Sequence, residues 1–439
     1  MAKTVPLDAR TLGWAREVFA EYYAANEVPP PDRLTRREFA AFPFATETIM
    51  RRHATLRTPE EFAAFLRREV PRHVYYSSAY YRRPAEPTMA AKEWLGADLI
   101  FDLDSDHLRG AEALDYAGQL ALVKTRLIDL VDDFLFGDFG VDPAATSFVF
   151  SGGRGYHVHV HDPRFLSLSS PERRELVDYV LGTGVDPMRA VEERREDVRA
   201  GRTLSALDDE VGSATPGASA APRTRRLAPP DAPGWRGRTT RALLEVLRRW
   251  ESAGKGAAVE ELVHLGIEPT KARRWAKLIV DEGGAARIRG SLTLDVFKKD
   301  LPPEFLEAVI ARAKIEVQGE TDAPVTTDIH RLIRLPGSLH GGTGFRVVPL
   351  ARDAITAFDP FRDALVAPID GATTRVTFTS EVRYPFPPGG LAGTPGAVGE
   401  LPTPLALFLV LRGEAELPPG PGSRADRSSR STLRSGPPA

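Results

Sequence analysis

The sequence contains no cysteine among its 439 residues. This absence excludes disulfide bonds, zinc sites with thiolate ligands, iron–sulfur clusters and a cysteine nucleophile. Lysine is also scarce, since only nine of the 58 basic residues are lysine and the rest are arginine. Arginine forks suit the binding of phosphate, but a composition rich in alanine, glycine and proline is the simpler explanation of this excess.

The sequence also lacks any apolar run long enough to cross a bilayer. Its first residues, MAKTVPLDARTLGW, carry charges where a signal peptide has an apolar stretch. We therefore expect a cytoplasmic protein with no membrane partner. The formal net charge is only −2, so a nucleic acid would have to bind to a local basic surface.

Composition and periodicity divide the chain into five segments. A hydrophobic content of 42% is ordinary for a globular protein, and the length suffices for one large domain or two ordinary ones. We predict the first part of a main domain over 1–199, a flexible low-complexity segment over 200–238, a helical subdomain over 239–300, the second part of the main domain over 301–385, and a disordered Pro- and Gly-rich tail over 386–439.

The sharpest local signal is the segment LIFDLDSD. Asp102 and Asp104 are two residues apart on a predicted strand, so both side chains lie on the same face. Two carboxylates that close repel each other, and a divalent cation relieves the repulsion. Hard oxygen ligands select Mg²⁺ or Mn²⁺. The alternative is a solvent-exposed strand end, but the apolar residues that bracket the pair favour a buried strand.

A glycine turn joins two predicted strands in SFVFSGGRGYHVHVH. The glycines allow backbone N–H groups to approach an anion, and Arg154 adds a guanidinium suited to phosphate. A glycine-rich hairpin is more often only a turn. His157, His159 and His161 alternate along the second strand, which also indicates a possible transition-metal site. For each of these histidines, ordinary packing or surface exposure is an equally good interpretation.

A third polar region, ETDAPVTTDIHRLIRLPGSLHGGTGFR, holds two more aspartates among basic side chains. We expect Asp322 to lie on the strand side of this segment, whereas Asp328 begins a helical turn and can simply cap it. Carboxylates from two distant segments, with arginines and histidines nearby, fit a metal–triphosphate site better than a hydrolase triad.

Together, LIFDLD, SGGRGYHVHV and TDAPVTTDIHRLIRLPGSLHGGTG resemble the small catalytic subunit of archaeal and eukaryotic DNA primases. The segments REF at 37–39 and YYSSAYY at 75–81 are also similar to that family, and the resemblance covers most of 1–350. It implies an α/β (α+β) fold, the primase catalytic fold with mixed central sheets, plus an inserted helical subdomain.

The resemblance also implies the site residues. Three aspartates would bind two catalytic Mg²⁺ or Mn²⁺ ions: Asp102, Asp104 and Asp322, with Asp328 as the alternative third carboxylate. Five further residues would bind the nucleotide: Ser151, Arg154, His157, Arg334 and His340. Many relatives carry a structural zinc site after the aspartate pair. We expect none here, because the chain continues directly into a helix and has no cysteine.

The implied function is template-directed synthesis of short primers on single-stranded DNA from nucleoside triphosphates during DNA replication. Such a protein is a nucleotidyltransferase with DNA-directed RNA polymerase activity, and it works as a heterodimer with a primase large subunit in the primosome. Three alternatives stay open: a related primase–polymerase of DNA repair or end joining, a non-catalytic nucleic-acid-binding subunit, and a metal-dependent hydrolase built on the histidine row.

Overall fold

The structure is a computed structural model. It describes residues 7–46, 49–197, 202–205, 223–294, 296, 303–317, 319–366, 371–386 and 390–419. Within these ranges, none of the helices has the length and apolar character that spanning a bilayer requires.

Helices and antiparallel strands both contribute to the fold, which confirms the predicted mixed α/β class. The strands are β1 Phe39–Phe42, β2 Arg51–Ala54, β3 His73–Ser77, β4 Ala79–Tyr81, β5 Trp94–Ala97, β6 Leu99–Asp104, β7 Thr146–Phe150, β8 Gly155–Val160, β9 Val191–Asp197, β10 Arg202–Ser205, β11 Arg223–Leu227, β12 Leu332–Arg334, β13 Val348–Leu350, β14 Thr373–Phe378, β15 Val382–Tyr384, β16 Leu391–Gly393, β17 Val398–Pro402 and β18 Ala415–Glu416.

The helices are α1 Ala9–Ala25, α2 Pro59–Glu69, α3 Met89–Lys92, α4 Tyr116–Asp129, α5 Ser170–Leu181, α6 Gly234–Ala253, α7 Lys255–His264, α8 Pro269–Ala276, α9 Gly284–Ser291, α10 Pro303–Val317, α11 Ala323–Thr327, α12 Pro360–Asp363 and α13 Thr403–Arg412. Two of them continue as π-helix, α4 over Leu130–Asp138 and α8 over Lys277–Asp281.

The described residues form two compact units. The first takes its residues from 1–128, 141–174 and 321–439, and the second from 129–140 and 175–320. The second unit is therefore larger than the helical subdomain predicted over 239–300. Periodicity shows that a helix such as α5 or α10 has a buried face, but it does not show which core buries that face.

Two four-stranded antiparallel sheets form the framework of the first unit. Their strand orders are β12–β3–β1–β2 and β13–β7–β8–β6. Helices α1 and α2 cover the first sheet, where Phe19 and Phe62 join Phe39 and Val74 in one buried cluster. Helix α2 begins as its sequence predicts, because the Thr58 hydroxyl accepts a hydrogen bond from the Glu61 N–H at 3.2 Å.

Helices α6 to α10 enclose the core of the second unit. Leu243, Val246, Leu247 and Trp250 are buried at helical spacing on α6, and they join a cluster that includes Trp275 of α8. Helices are thus present where the sequence predicts the helical subdomain. Their shared core explains why this part of the chain is compact by itself.

Two segments predicted to lack structure contain regular elements. Leu405 to Leu411 of α13 are all buried, so the prediction of a disordered tail is wrong for 390–419. Within this proline- and glycine-rich segment lies an apolar helix that begins at Thr403 and has Pro404 in its first turn. The predicted flexible segment 200–238 contains β10, β11 and the start of α6. Residues 206–222 and 420–439 lie outside the described residues.

Candidate active site

The pairing of β6 with β8 places the carboxylate pair opposite the predicted phosphate turn. Asp102 lies directly across from His157 and Asp104 across from Gly155. Along β6 the apolar neighbours are buried while both aspartates remain partly exposed, so the two carboxylates share the open face, as the sequence predicts. The Nε2 atom of His157 is 3.5 Å from Oδ1 of Asp102.

Asp322 comes close to this pair through its backbone. Its N–H donates to the carbonyl oxygen of Asp102 at 2.8 Å, and the Thr321 hydroxyl donates to the same oxygen at 3.2 Å. The sequence placed Asp322 on a strand, but it is the residue before α11 and its side chain does not cap that helix. Proline at position 324 begins a helix here. Asp328 ends the helix and accepts from the His330 N–H at 2.9 Å.

The electrostatics of the pair are unfavourable for an ionised Asp102. Burial, followed by the negative charges of Asp104 and Asp322, raises the pKa of Asp102 to about 7. Arg331 and Arg334 act in the opposite direction but do not cancel the effect. Asp102 is therefore coupled electrostatically to Asp104 on its own strand and to Asp322, which is far away in the sequence.

In the ranges described, no three His, Asp or Glu side chains are grouped so as to hold a metal ion. Each candidate carboxylate instead contacts a basic side chain; Asp104 is 3.5 Å from Arg154, and Asp322 is 3.8 Å from His107. The donor set nevertheless fits a hard divalent cation, because carboxylate oxygens are its preferred ligands. A cation would also relieve the repulsion that raises the pKa of Asp102.

The glycine turn from Ser151 to Gly155 is held tightly by its surroundings. Gly152 has φ +76°, and a Cβ there would lie 2.7 Å from the Cβ of His340. A Cβ at Gly155 would lie 2.1 Å from the carbonyl oxygen of Leu103. Glycine is therefore required at both positions, by conformation at the first and by close backbone approach at the second.

Side chains from other elements fix the same turn. The Tyr116 hydroxyl donates to the Gly153 carbonyl at 2.6 Å, and the Thr343 hydroxyl donates to the Gly152 carbonyl. Arg154 forms an ion pair with Asp106. These contacts hold the backbone of the turn and orient its arginine near the carboxylate pair.

The first sheet supplies a second, basic wall. The Arg334 guanidinium lies over the Tyr75 ring at 5.0 Å, and its Nη1 is 2.6 Å from Nδ1 of His73. Arg72 donates through Nε to the Gly341 carbonyl at 3.0 Å, while its buried Nη2 has no hydrogen-bond partner in the described part of the chain. Such an unpaired donor is available to a ligand.

These walls enclose one cavity of about 860 Å³. Seven of the eight predicted site residues line it: Asp102, Asp104, Ser151, Arg154, His157, Arg334 and His340. Asp322 does not line it but stays electrostatically coupled to Asp102. The lining also includes residues that the sequence analysis missed, namely Arg72, His73, Tyr116, Thr343 and Arg412. Thr343 lies within the third quoted motif but was not singled out, whereas no motif signals the other four, each of which is a polar residue in an ordinary helix, strand or loop.

Burial removes the charge of the histidines in the cavity. It is the main cause that holds the pKa of His157 and of His340 well below the ordinary value, and nearby Arg334 lowers both further. Both rings are therefore neutral at pH 7. They can form hydrogen bonds with a ligand but bring no positive charge of their own.

The other two members of the histidine row do not line the cavity. His159 stacks on Tyr76, with its Nδ1 3.3 Å from the tyrosine hydroxyl. His161 lies 3.2 Å from Asp98 and 3.0 Å from the Ser147 hydroxyl. Each ring of the row thus has its own separate partner, and the row gives no support to a transition-metal hydrolase.

Comparison with known proteins shows the family of this chain. A family model for the DNA primase small subunit matches residues 101–352, which include every predicted site residue. The DNA primase small subunit of Methanocella arvoryzae is 38% identical over 425 residues, which are 94% of this chain and 100% of the relative. That of Methanothrix thermoacetophila is 38% identical over 423 residues, with the same shares. That of Halobacterium salinarum is 36% identical over 420 residues, or 93% and 99%.

The family match supports a nucleotidyltransferase-type enzyme. More particularly, the chain belongs to the DNA primase small subunit family. The predicted family and the predicted function as the catalytic small subunit of DNA primase are thereby confirmed, and the repair polymerase is not favoured.

Proposed function

We propose that this chain itself carries out primer synthesis, as a DNA-directed RNA polymerase activity on single-stranded DNA. The supporting observation is that the carboxylate pair of β6 and the basic residues predicted to bind a triphosphate line one cavity. The reaction needs these two groups side by side, because the nucleotide's triphosphate must lie next to the ions that assist phosphoryl transfer.

Asp102, Asp104 and Asp322 would hold the Mg²⁺ or Mn²⁺ ions. Bound there, the ions supply activation of the attacking hydroxyl and stabilisation of the leaving pyrophosphate. The elevated pKa of Asp102 supports this assignment, since a cluster of partly buried carboxylates is costly unless a cation shares it.

The chain's own residues bind and orient the nucleotide. Arg154 and Arg334 supply positive charge from opposite walls of the cavity, and they are held there before a ligand arrives. The neutral rings of His157 and His340 donate or accept hydrogen bonds. Ser151 presents its hydroxyl at the start of the turn, where it accepts from the Gly153 N–H at 3.3 Å.

We further propose that the chain pairs with a separate primase large subunit. This proposal rests on the name that the relatives share, DNA primase small subunit. Single-stranded DNA would then serve as template and nucleoside triphosphates as substrates.

The test incubates the purified chain with an unprimed single-stranded DNA template, labelled nucleotides, and either Mg²⁺ or Mn²⁺. Asp102→Asn and Asp104→Asn serve as matched variants that remove one negative charge each. New chains made only by the unmodified protein are the expected result. Extension of pre-primed ends alone would favour a repair polymerase instead.

If no synthesis occurs, the assay is repeated with the large subunit added. Continued inactivity of the assembled pair would refute the proposed activity. Synthesis that survives in the Asp104→Asn variant would refute the assignment of this carboxylate. Circular dichroism of each variant shows whether the fold is retained.

A further inference from the structure

Basic charge is concentrated in one part of a slightly acidic protein. Residues 223–294 carry 15 arginines and lysines but only eight aspartates and glutamates, whereas the whole chain has a formal net charge of −2. This stretch lies in the second unit, and none of its residues line the cavity described above. Local basic surfaces of this kind are the usual electrostatic mark of nucleic-acid binding.

Helix α8 has the most one-sided distribution of charge in this stretch. Ala272, Trp275, Ala276 and Ile279 form its buried stripe, at the spacing of a helix packed on a core. The remaining face is exposed and basic, with Lys271, Arg273, Arg274 and Lys277. No acidic residue occurs between 269 and 280 to interrupt this face.

The two arginines of this basic face form no ion pair within the described ranges, although the charge of Arg273 helps to lower the pKa of the exposed Glu268. Lys271 is 2.8 Å from Glu304 and Lys277 is 3.3 Å from Glu282. By contrast, no carboxylate of the described ranges lies within ion-pair distance of Arg273 or Arg274. By comparison, the exposed Arg248 of α6 is paired with Glu245 at 2.5 Å.

The helix and the turn that precede α8 suit it for contact with a ligand. Helix α7 precedes it, and a short turn over 265–268 that contains Gly266 at φ +87° joins the two. A pair of helices with such a turn presents its second helix as a rigid element. Trp275 is buried, so α8 offers guanidinium and ammonium groups but no aromatic ring on which a base could stack.

We propose that the basic face of α8 binds the sugar–phosphate backbone of the DNA template. Arg273 and Arg274 make the main phosphate contacts, and Lys271 and Lys277 add positive charge beside them. The contact is independent of sequence, because phosphates carry no base information. This inference rests on the proposed primase function and deepens it, since it assigns part of the template binding to residues that do not line the catalytic cavity.

The test measures binding of the full chain to a fluorescent single-stranded oligonucleotide by anisotropy, without nucleotide or divalent metal. The variant is Arg273→Ala/Arg274→Ala. The matched control is Arg241→Ala/Arg248→Ala, which removes the same charge from exposed arginines of α6 that already have carboxylate partners. Each lost phosphate contact should weaken binding roughly fivefold at 0.1 M salt, so the variant should lose roughly 25-fold in affinity.

The salt dependence gives a second readout. The logarithm of the binding constant falls linearly with the logarithm of the salt concentration, and for single strands each phosphate contact contributes about 0.7 to the steepness of this slope. Two lost contacts should therefore make the slope less steep by about 1.4. The control should keep the original affinity and slope. The charge-conserving variant Arg273→Lys/Arg274→Lys should retain most of the binding, which separates a lost contact from a damaged fold.

Several outcomes would overturn the proposal. They are an absence of DNA binding by the unmodified chain, an unchanged affinity and slope in the alanine variant, or an equal loss in the control. An unchanged affinity would point to an acidic protein as the partner of α8. The assay contains no nucleotide or metal, so its result is independent of whether primer synthesis is observed.

Discussion

Replacing Asp102 with Asn should stabilise the metal-free protein while abolishing its activity. Burial, Asp104 and Asp322 raise the pKa of Asp102 to about 7, so its ionised form is disfavoured in the folded state. Asparagine has nearly the same shape but no charge. The substitution therefore removes an electrostatic penalty that the folded protein carries whenever Asp102 is ionised and no cation is bound.

The size and the pH range of this penalty follow from the two pKa values. The unfolded chain releases the proton near the ordinary value of 3.8, whereas the folded chain keeps it until about pH 7. The stability linked to this group is therefore fully present below pH 3.8 and is lost as the pH rises through 7. A shift of about three pH units corresponds to up to about 4 kcal/mol.

Denaturant unfolding in EDTA at pH 4, 6 and 8 measures this effect. At pH 8 the variant should have the higher free energy of unfolding, and the gain should shrink as the pH falls towards 4. Asp353→Asn, at an exposed position of the same unit, is the control and should show no such pH-dependent gain. A variant that is less stable at pH 8, or equally stable at every pH, would refute the reasoning.

Three further substitutions test how the cavity is built. Tyr116→Phe removes the hydroxyl that donates to the Gly153 carbonyl, which should lower the free energy of unfolding by about 1–3 kcal/mol. In steady-state assays it should raise the nucleotide KM more than it lowers kcat, because the hydroxyl holds the turn and not the reacting atoms. Gly155→Ala should lower the free energy of unfolding by about 1–3 kcal/mol, whereas Gly256→Ala in an open helical position should not lower it. Arg334→Lys should raise the nucleotide KM roughly tenfold, because it loses about 1.5 kcal/mol of directed contact. An unchanged KM in Tyr116→Phe or Arg334→Lys, or equal stabilities of the two alanine variants, would contradict these assignments.

The sequence predicted the parts of the site that local structure creates. Asp102 and Asp104 share a face because a strand alternates its side chains, and the glycine turn follows from strand–turn–strand patterning. Tyr116 and Arg412 were missed because their place in the cavity depends on tertiary packing. Arg412 stacks on the Tyr116 ring at 4.1 Å, yet the two residues are nearly 300 positions apart in the sequence.

The same limit explains the wrong prediction for the C-terminal segment. Its composition indicated disorder, and composition is a sum over residues that ignores which of them are adjacent. The seven consecutive residues Leu405 to Leu411 are buried because α13 is surrounded by other elements of its unit. Leu411 and Arg412 at the end of α13 line the cavity, so the site includes a segment beyond the range of the family model.

The folded environment also divides the basic residues of the cavity into two chemical groups. A histidine in a sequence is ambiguous near pH 7, because its ordinary pKa lies close to that value. Burial and Arg334 lower the pKa of His157 and His340 far enough to make both neutral. The positive charge that meets a triphosphate must therefore come from the arginines and from bound cations. Two arginines of the lining, Arg72 through Nη2 and Arg331 through Nε, have a buried donor without a hydrogen-bond partner among the described residues, and each can offer it to a ligand.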